Sequence, residues 1–122
     1  MNFDDVYYFV KQLLLKLGIA PHLKGYEYLS CAVALSVDRD SSSIMDIYKM
    51  TADYCKTTQG CVERAVRNAV SVFSRKENVN YLNGLLGSRL FDAYSYPSSG
   101  AVICYLAEYV RFSIYRGNLS CR

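Results

Sequence analysis

Thr57-Thr58-Gln59-Gly60-Cys61-Val62-Glu63-Arg64-Ala65-Val66-Arg67-Asn68-Ala69-Val70-Ser71-Val72-Phe73 is the stretch that decides how this chain is read. Val62, Ala65, Val66, Ala69, Val70 and Phe73 recur at the i, i+3, i+4, i+7 spacing of a helix with one buried face. At about 100° per residue, Gly60, Glu63, Arg64, Arg67, Asn68, Ser71 and Arg75 then collect on the opposite face. A helix of this kind can lie in a DNA major groove with its Arg, Glu and Asn side chains against base edges. Amphipathicity alone does not establish that, because most surface helices share it. The residues upstream narrow the reading. From Ile44 to Tyr54 a shorter helical pattern puts Ile44, Ile47, Tyr48 and Thr51 on one face and Asp46, Lys49 and Asp53 outside. The polar break Lys56-Thr57-Thr58 follows it. Two helices joined by a turn of three or four residues, the second basic on its outer face, make the helix-turn-helix pattern. An ordinary helical hairpin has the same periodicity. Thr57 or Thr58 can N-cap the second helix, with Gly60, followed three residues on by Glu63, as an alternative start. So read, the second helix extends over about Gly60–Lys76 and gathers Arg64, Arg67, Arg75 and Lys76, opposed by Glu63 and Glu77.

Helical patterns continue on both sides. Phe3 to Leu17 carries Val6, Tyr7, Val10, Leu13, Leu14 and Leu17 at helical spacing and ends at Gly18. Pro21 biases Ala20 away from helix and makes Ile19–His22 a connector. A second helix is expected over about Lys24–Val37, with Tyr28, Leu29, Ala32, Val33 and Ser36 as its inner stripe. Asp38 to Ser43 is a polar loop that supplies N-cap candidates. Beyond the central pair, a short helix over about Val79–Leu86 ends at Gly87, Ser88–Tyr96 reads as irregular, and Pro97-Ser98-Ser99-Gly100 opens a last helix running to about Tyr115. Apolar residues wrap almost all round that last helix, which is expected in the core with part of it offered to a partner protein. No strand-period run, repeat or low-complexity tract stands out. The chain reads as all-α, a single six-helix domain over residues 1–122.

Composition excludes several classes. A length of 122 residues with 52% hydrophobic and 20% charged residues fits one globular core. The twelve tyrosines are expected mainly at the core edge, where the ring is buried and the hydroxyl stays wet. A net charge of +3 does not by itself identify a nucleic-acid binder. Five scattered cysteines, no C-x-x-C and a single histidine, His22, give no usual zinc spacing. Cys31 and Cys104 lie in apolar stretches and are expected as small core residues. The acidic start Met1-Asn2-Phe3-Asp4-Asp5 is unlike a secretory leader, and the longest apolar run, Ala101–Ala107, is too short to span a bilayer. Free thiols then point to the cytoplasm, without a membrane partner. No catalytic set can be built round one histidine in a connector, and no phosphate-binding glycine loop is present. No enzyme activity, small-molecule substrate, cofactor or metal is expected.

Gly18-Ile19-Ala20-Pro21-His22-Leu23-Lys24-Gly25-Tyr26-Glu27-Tyr28-Leu29 resembles the opening of the C-terminal effector domain of stage zero sporulation protein A, the family of bacterial response regulators that command sporulation. Thr57-Thr58 followed by Val62-Glu63-Arg64-Ala65-Val66-Arg67-Asn68-Ala69-Val70 resembles that family's recognition helix, whose core reads Val-Glu-Arg-Ala-Ile-Arg-His-Ala-Ile. The similarity covers about residues 8–113 and leaves 114–122 as a C-terminal tail. It implies a small transcriptional regulator that binds double-stranded DNA sequence-specifically, as a tandem homodimer on direct repeats or as a heterodimer with a related regulator. It also implies DNA contacts at Lys56, Thr58, Gly60, Cys61, Glu63, Arg64, Arg67 and Asn68. Chemically, Arg offers a fork to guanine O6 and N7, and Glu accepts from cytosine N4.

The sequence also departs from the family. Cys61 stands where the family has a guanine-reading Arg, a contact of about 1–3 kcal/mol. Gly60 and Asn68 replace the usual Ser and His. Tyr48-Lys49-Met50-Thr51-Ala52 replaces Tyr-Pro-Asp-Ile-Ala. Met1 precedes the resemblance by only a short helix, so the receiver domain is expected to be absent and control by phosphorylation is not implied. These departures keep a second function open: a protein-interaction module that retained the fold and modulates a related full-length regulator or another partner.

Overall fold

The computed structural model describes residues 2–39, 42–87 and 97–115. Six helices follow one another: α1 Phe3–Lys16, α2 Lys24–Asp38, α3 Ile44–Tyr54, α4 Gln59–Val70, α5 Lys76–Leu86 and α6 Ser99–Tyr115, with a 3₁₀ turn, Ser71–Ser74, between α4 and α5. The described residues contain no strand, and the all-α reading holds. Ser88–Tyr96, residues 40 and 41 of the polar loop, and residues 116–122 of the expected tail, Cys121 among them, lie outside the described residues.

Local chemistry sets the helix ends. Asn2 caps α1 by accepting the Asp5 amide at 2.9 Å, Ser43 caps α3 through the Asp46 amide at 3.1 Å, and Ser98 receives the Ala101 amide at 3.2 Å at the start of α6. α1 stops at Gly18, whose φ of +90° lets the Ile19 amide reach the Leu14 carbonyl and its own amide reach that of Leu15. This is the paired closure that favours glycine one residue past the cap.

The largest difference from the sequence reading concerns α2. It was expected to bury one stripe, yet Leu29, Ser30, Cys31, Ala32, Val33 and Ala34 are all buried in succession. α2 is the central helix, packed on α1, α3, α4 and α6. Periodicity misses this because the middle of the helix, enclosed all round, has no outer face, and the small residues Ser30, Ala32 and Ala34 lower its apparent hydrophobicity. Its polar groups are satisfied within: Ser30 donates to the Tyr26 carbonyl at 2.7 Å. Burial drives the Cys31 thiol up to about 12. α1 docks on α2 through Lys11, whose ammonium pairs with Glu27 at 3.1 Å and lies 4.8 Å from the Tyr7 ring centre, while the Tyr26 hydroxyl donates to the Lys11 carbonyl.

α6 divides into two sides. Val102, Ile103, Leu106, Ala107 and Val110 are buried, whereas Tyr105 and Phe112 are exposed. Cys104, expected in the core, is exposed as well, because it falls on the outer side of the helix with Tyr105, Glu108 and Phe112. Arg111 ties α6 to the end of α2. Its guanidinium donates to the carbonyls of Val37, at 3.1 Å, and Ser36, and holds Glu108 at 3.1 Å. It thereby bonds two carbonyls in the last turn of α2, where helical partners run out, sharing that of Ser36 with the Arg39 amide. Arg111→Ala is expected to destabilise the protein by about 1.5–3 kcal/mol, the usual worth of hydrogen bonds to a charged group. Urea denaturation of the two proteins checks this, and an unchanged midpoint would contradict it.

Candidate nucleic-acid interface

α3 and α4 form the expected helix-turn-helix. Ile47, Tyr48, Thr51 and Ala52 of α3 are buried, as are Val62, Val66, Ala69 and Val70 of α4. The turn is closed by backbone bonds. The Thr57 amide reaches the Ala52 carbonyl at 2.9 Å and the Lys56 amide reaches that of Asp53 at 3.4 Å, with Lys56 at a φ of +57°. This is the closure that ends α1, but with lysine where glycine is favoured. Of the two N-cap candidates, Thr58 takes the role: its hydroxyl accepts the Cys61 amide at 3.2 Å. The alternative start at Gly60 is thereby set aside.

Holding Lys56 in the left-handed region costs about 1–2 kcal/mol relative to its ordinary conformations. Lys56→Gly is therefore expected to raise stability by about 1 kcal/mol, the gain being offset in part by glycine's greater freedom in the unfolded chain. Thermal unfolding checks this; a lower midpoint would contradict the strain.

The expected extent of the second helix, Gly60–Lys76, is corrected. α4 ends at Val70, and Arg75 has extended backbone, φ −88° and ψ 132°, ahead of α5. Two side chains take up backbone carbonyls at this junction. Ser71 donates to the Asn68 carbonyl at 2.5 Å, and Asn78 donates to the Val72 carbonyl at 2.9 Å. Phe73 still reaches the core, so the apolar spacing gave no sign of the break. Arg75 and Lys76 consequently do not share a helix with Arg64 and Arg67.

The exposed arc of α4 consists of Gly60, Cys61, Arg64, Arg67 and Asn68, with Arg64 near its middle, and Ser71 continues it into the 3₁₀ turn. A Cβ at Gly60 would meet nothing within 4 Å. Neither guanidinium has an ion-pair partner among the described residues. The Thr58 hydroxyl first, then that of Thr57, the Thr58 backbone and the Arg64 charge hold the exposed Cys61 thiol below its ordinary value. Glu63 lies apart from this group. It is half-buried at the edge of the arc and accepts from the Gln59 amide group at 3.3 Å, rather than capping backbone amides. Lys56 and Thr58 are exposed in the turn and at the helix start. Six of the eight sequence-derived positions thus gather at the amino end and outer face of α4, Lys56 stands beside them, and Glu63 borders the α3 side.

Open grooves run along both flanks of α4. One, of about 480 Å³, lies against the beginning of α2, with Lys24, Tyr28 and Thr57 facing Cys61, Arg64 and Asn68. The other, of about 330 Å³, runs between Arg67 and Pro97-Ser98-Ser99 at the start of α6. From sequence Lys24 reads as an ordinary surface lysine rather than a phosphate contact and Tyr28 as part of the inner stripe of α2; the folded chain brings both beside α4. Among the described residues no three of His, Cys, Asp and Glu cluster as metal ligands would, and no helix is long and apolar enough to cross a membrane.

The family model described as sporulation initiation factor Spo0A C terminal matches residues 10–110 of the chain.

Proposed function

Since the chain belongs to the Spo0A C-terminal family of DNA-binding domains, we propose that it reads a specific DNA sequence by laying α4 in the major groove. The observation that carries this reading is the outer arc of α4: two arginines without ion-pair partners among the described residues, flanked by Gly60, Cys61 and Asn68, on a helix whose other side is fixed in the core. Arg64 and Arg67 supply forked donors for guanine or phosphate, and Asn68 pairs with adenine or phosphate. Gly60 lets the helix approach closely, and Cys61 contributes a small contact where the family's Arg would reach further. Thr58 and Lys56 meet the backbone at the amino end of α4. Glu63 reaches a cytosine from the edge of the arc with whichever carboxylate oxygen Gln59 leaves available. The chain acts in the cytoplasm as one domain, pairing head to tail with a second copy or with a related regulator on repeated boxes.

Methylation protection tests the docking. Bound protein is expected to shield guanine N7, which opens on the major groove, within a short box. Shielding confined to adenine N3, in the minor groove, would contradict it. The alternative, a protein-interaction module, is favoured by one feature, the 56% exposure of Phe112 on the outer side of α6. It predicts neither protection pattern.

A further inference from the structure

We propose that the groove between the start of α2 and the flank of α4 seats the sugar–phosphate backbone of one DNA strand, with Lys24 as its cationic contact and the hydroxyls of Tyr28 and Thr57 as hydrogen-bond donors. The inference rests on the reading of α4 as the helix that enters the major groove. A helix in that position has a strand on either side of it, so a protein groove along its flank meets phosphate rather than bases.

The chemistry of the lining fits a polyanion. On the α2 side Lys24 carries positive charge and Tyr28 offers a donor, Thr57 adds another at the turn, and among the described residues no carboxylate lines the groove, whose other wall is the flank of α4. The nearest acid on α2, Glu27, is already paired with Lys11 at 3.1 Å. Lys24 is exposed and has no ion-pair partner among the described residues. Among the described residues the groove opposite has no cation outside α4, its far wall being Pro97, Ser98 and Ser99, which makes the α2 side with Lys24 the better seat for phosphate.

Placement is fixed as well. Gly25, next to Lys24, lies so near α4 that an added Cβ would stand 2.2 Å from the Ala65 carbonyl oxygen. The backbones of α2 and α4 therefore meet closely beside the groove, which fixes where the Lys24 side chain leaves α2 relative to α4. A phosphate bound there fixes the register of α4 in the major groove without reading a base.

The test compares the wild-type protein with Lys24→Gln, Lys24→Arg and Tyr28→Phe on a mixed-sequence duplex over a range of salt concentrations, together with selection from a randomised duplex library. Lys24→Gln is expected to bind about 3- to 10-fold more weakly and to make the slope of log affinity against log salt shallower by about 0.9, the signature of one lost phosphate contact. Lys24→Arg is expected to keep the wild-type slope. Tyr28→Phe, which preserves the ring, is expected to weaken binding with the slope unchanged. All three are expected to select the same sequence as wild type. A wild-type slope and affinity in Lys24→Gln, with wild-type binding itself salt-dependent and selective, would overturn the groove while leaving the reading of α4 intact. A changed sequence preference in Lys24→Gln would overturn it too, since Lys24 would then touch a base. Absence of selective, salt-dependent binding by the wild type would instead remove the reading on which the groove depends.

Discussion

Gly25→Ala is expected to destabilise this protein by about 3 kcal/mol or more, at the upper end of what overpacking costs. A methyl at this position would lie 2.2 Å from the Ala65 carbonyl oxygen and 2.7 Å from the Ala69 Cβ. The first obstacle is backbone, so no rotamer change relieves it. Either α4 moves off α2 or the first turn of α2 unwinds. Both routes disturb Leu29, Val62, Val66 and Ala69, which are buried in the same core. In an ordinary solvent-facing helix the same substitution would stabilise by roughly 0.5–1 kcal/mol, so the sign of the effect is itself diagnostic. Urea denaturation gives the measurement. A variant as stable as wild type would show that α2 and α4 do not approach this closely. Because the groove beside Lys24 depends on the same contact, any folded fraction of the variant is also expected to bind DNA less well.

Arg64→Ala is expected to do the opposite: leave stability within about 0.5 kcal/mol of wild type and weaken specific binding by about 1–3 kcal/mol. Arg64 is exposed, has no ion-pair partner among the described residues, and stands near the middle of the outer arc of α4. Removing it costs the core nothing and takes a forked donor from the centre of the reading face. Preference at one base pair should relax, whereas loss of a phosphate contact would weaken all sequences alike. Arg64→Lys separates charge from shape, because lysine keeps the charge and lacks the planar fork. It is expected to retain most of the salt dependence and to lose the preference. An unchanged sequence preference in Arg64→Ala would show that this residue does not read a base.

What was legible in the sequence was whatever depends on neighbours along the chain. The spacing of Val62, Val66, Ala69 and Val70 located the buried side of α4 and, by complement, the exposed arc with Arg64 and Arg67. Thr58 and Ser43 were identifiable as caps because capping is a local hydrogen bond. Gly18 marked the end of α1 for a similar reason.

The rest depended on contacts that periodicity does not encode. α4 ends at Val70 although Phe73 stays in phase, because a 3₁₀ turn can carry an aromatic ring back into the core. Lys56 gave no signal of its left-handed backbone, which glycine would have announced. The central place of α2 and the close approach at Gly25 emerge only when four helices pack round one. Lys24 looked like any surface lysine until Tyr28 and α4 stood beside it. The family match over residues 10–110 of this chain supports DNA binding as the class of activity; on the proposed reading, the letters of the box would depend on side chains such as Cys61.

Selection of bound duplexes from a randomised library at two salt concentrations tests the central claim most directly. Enrichment of a short box, with affinity that falls steeply as salt rises, is the predicted result. Weak, salt-sensitive binding without enrichment would contradict sequence-specific reading by α4.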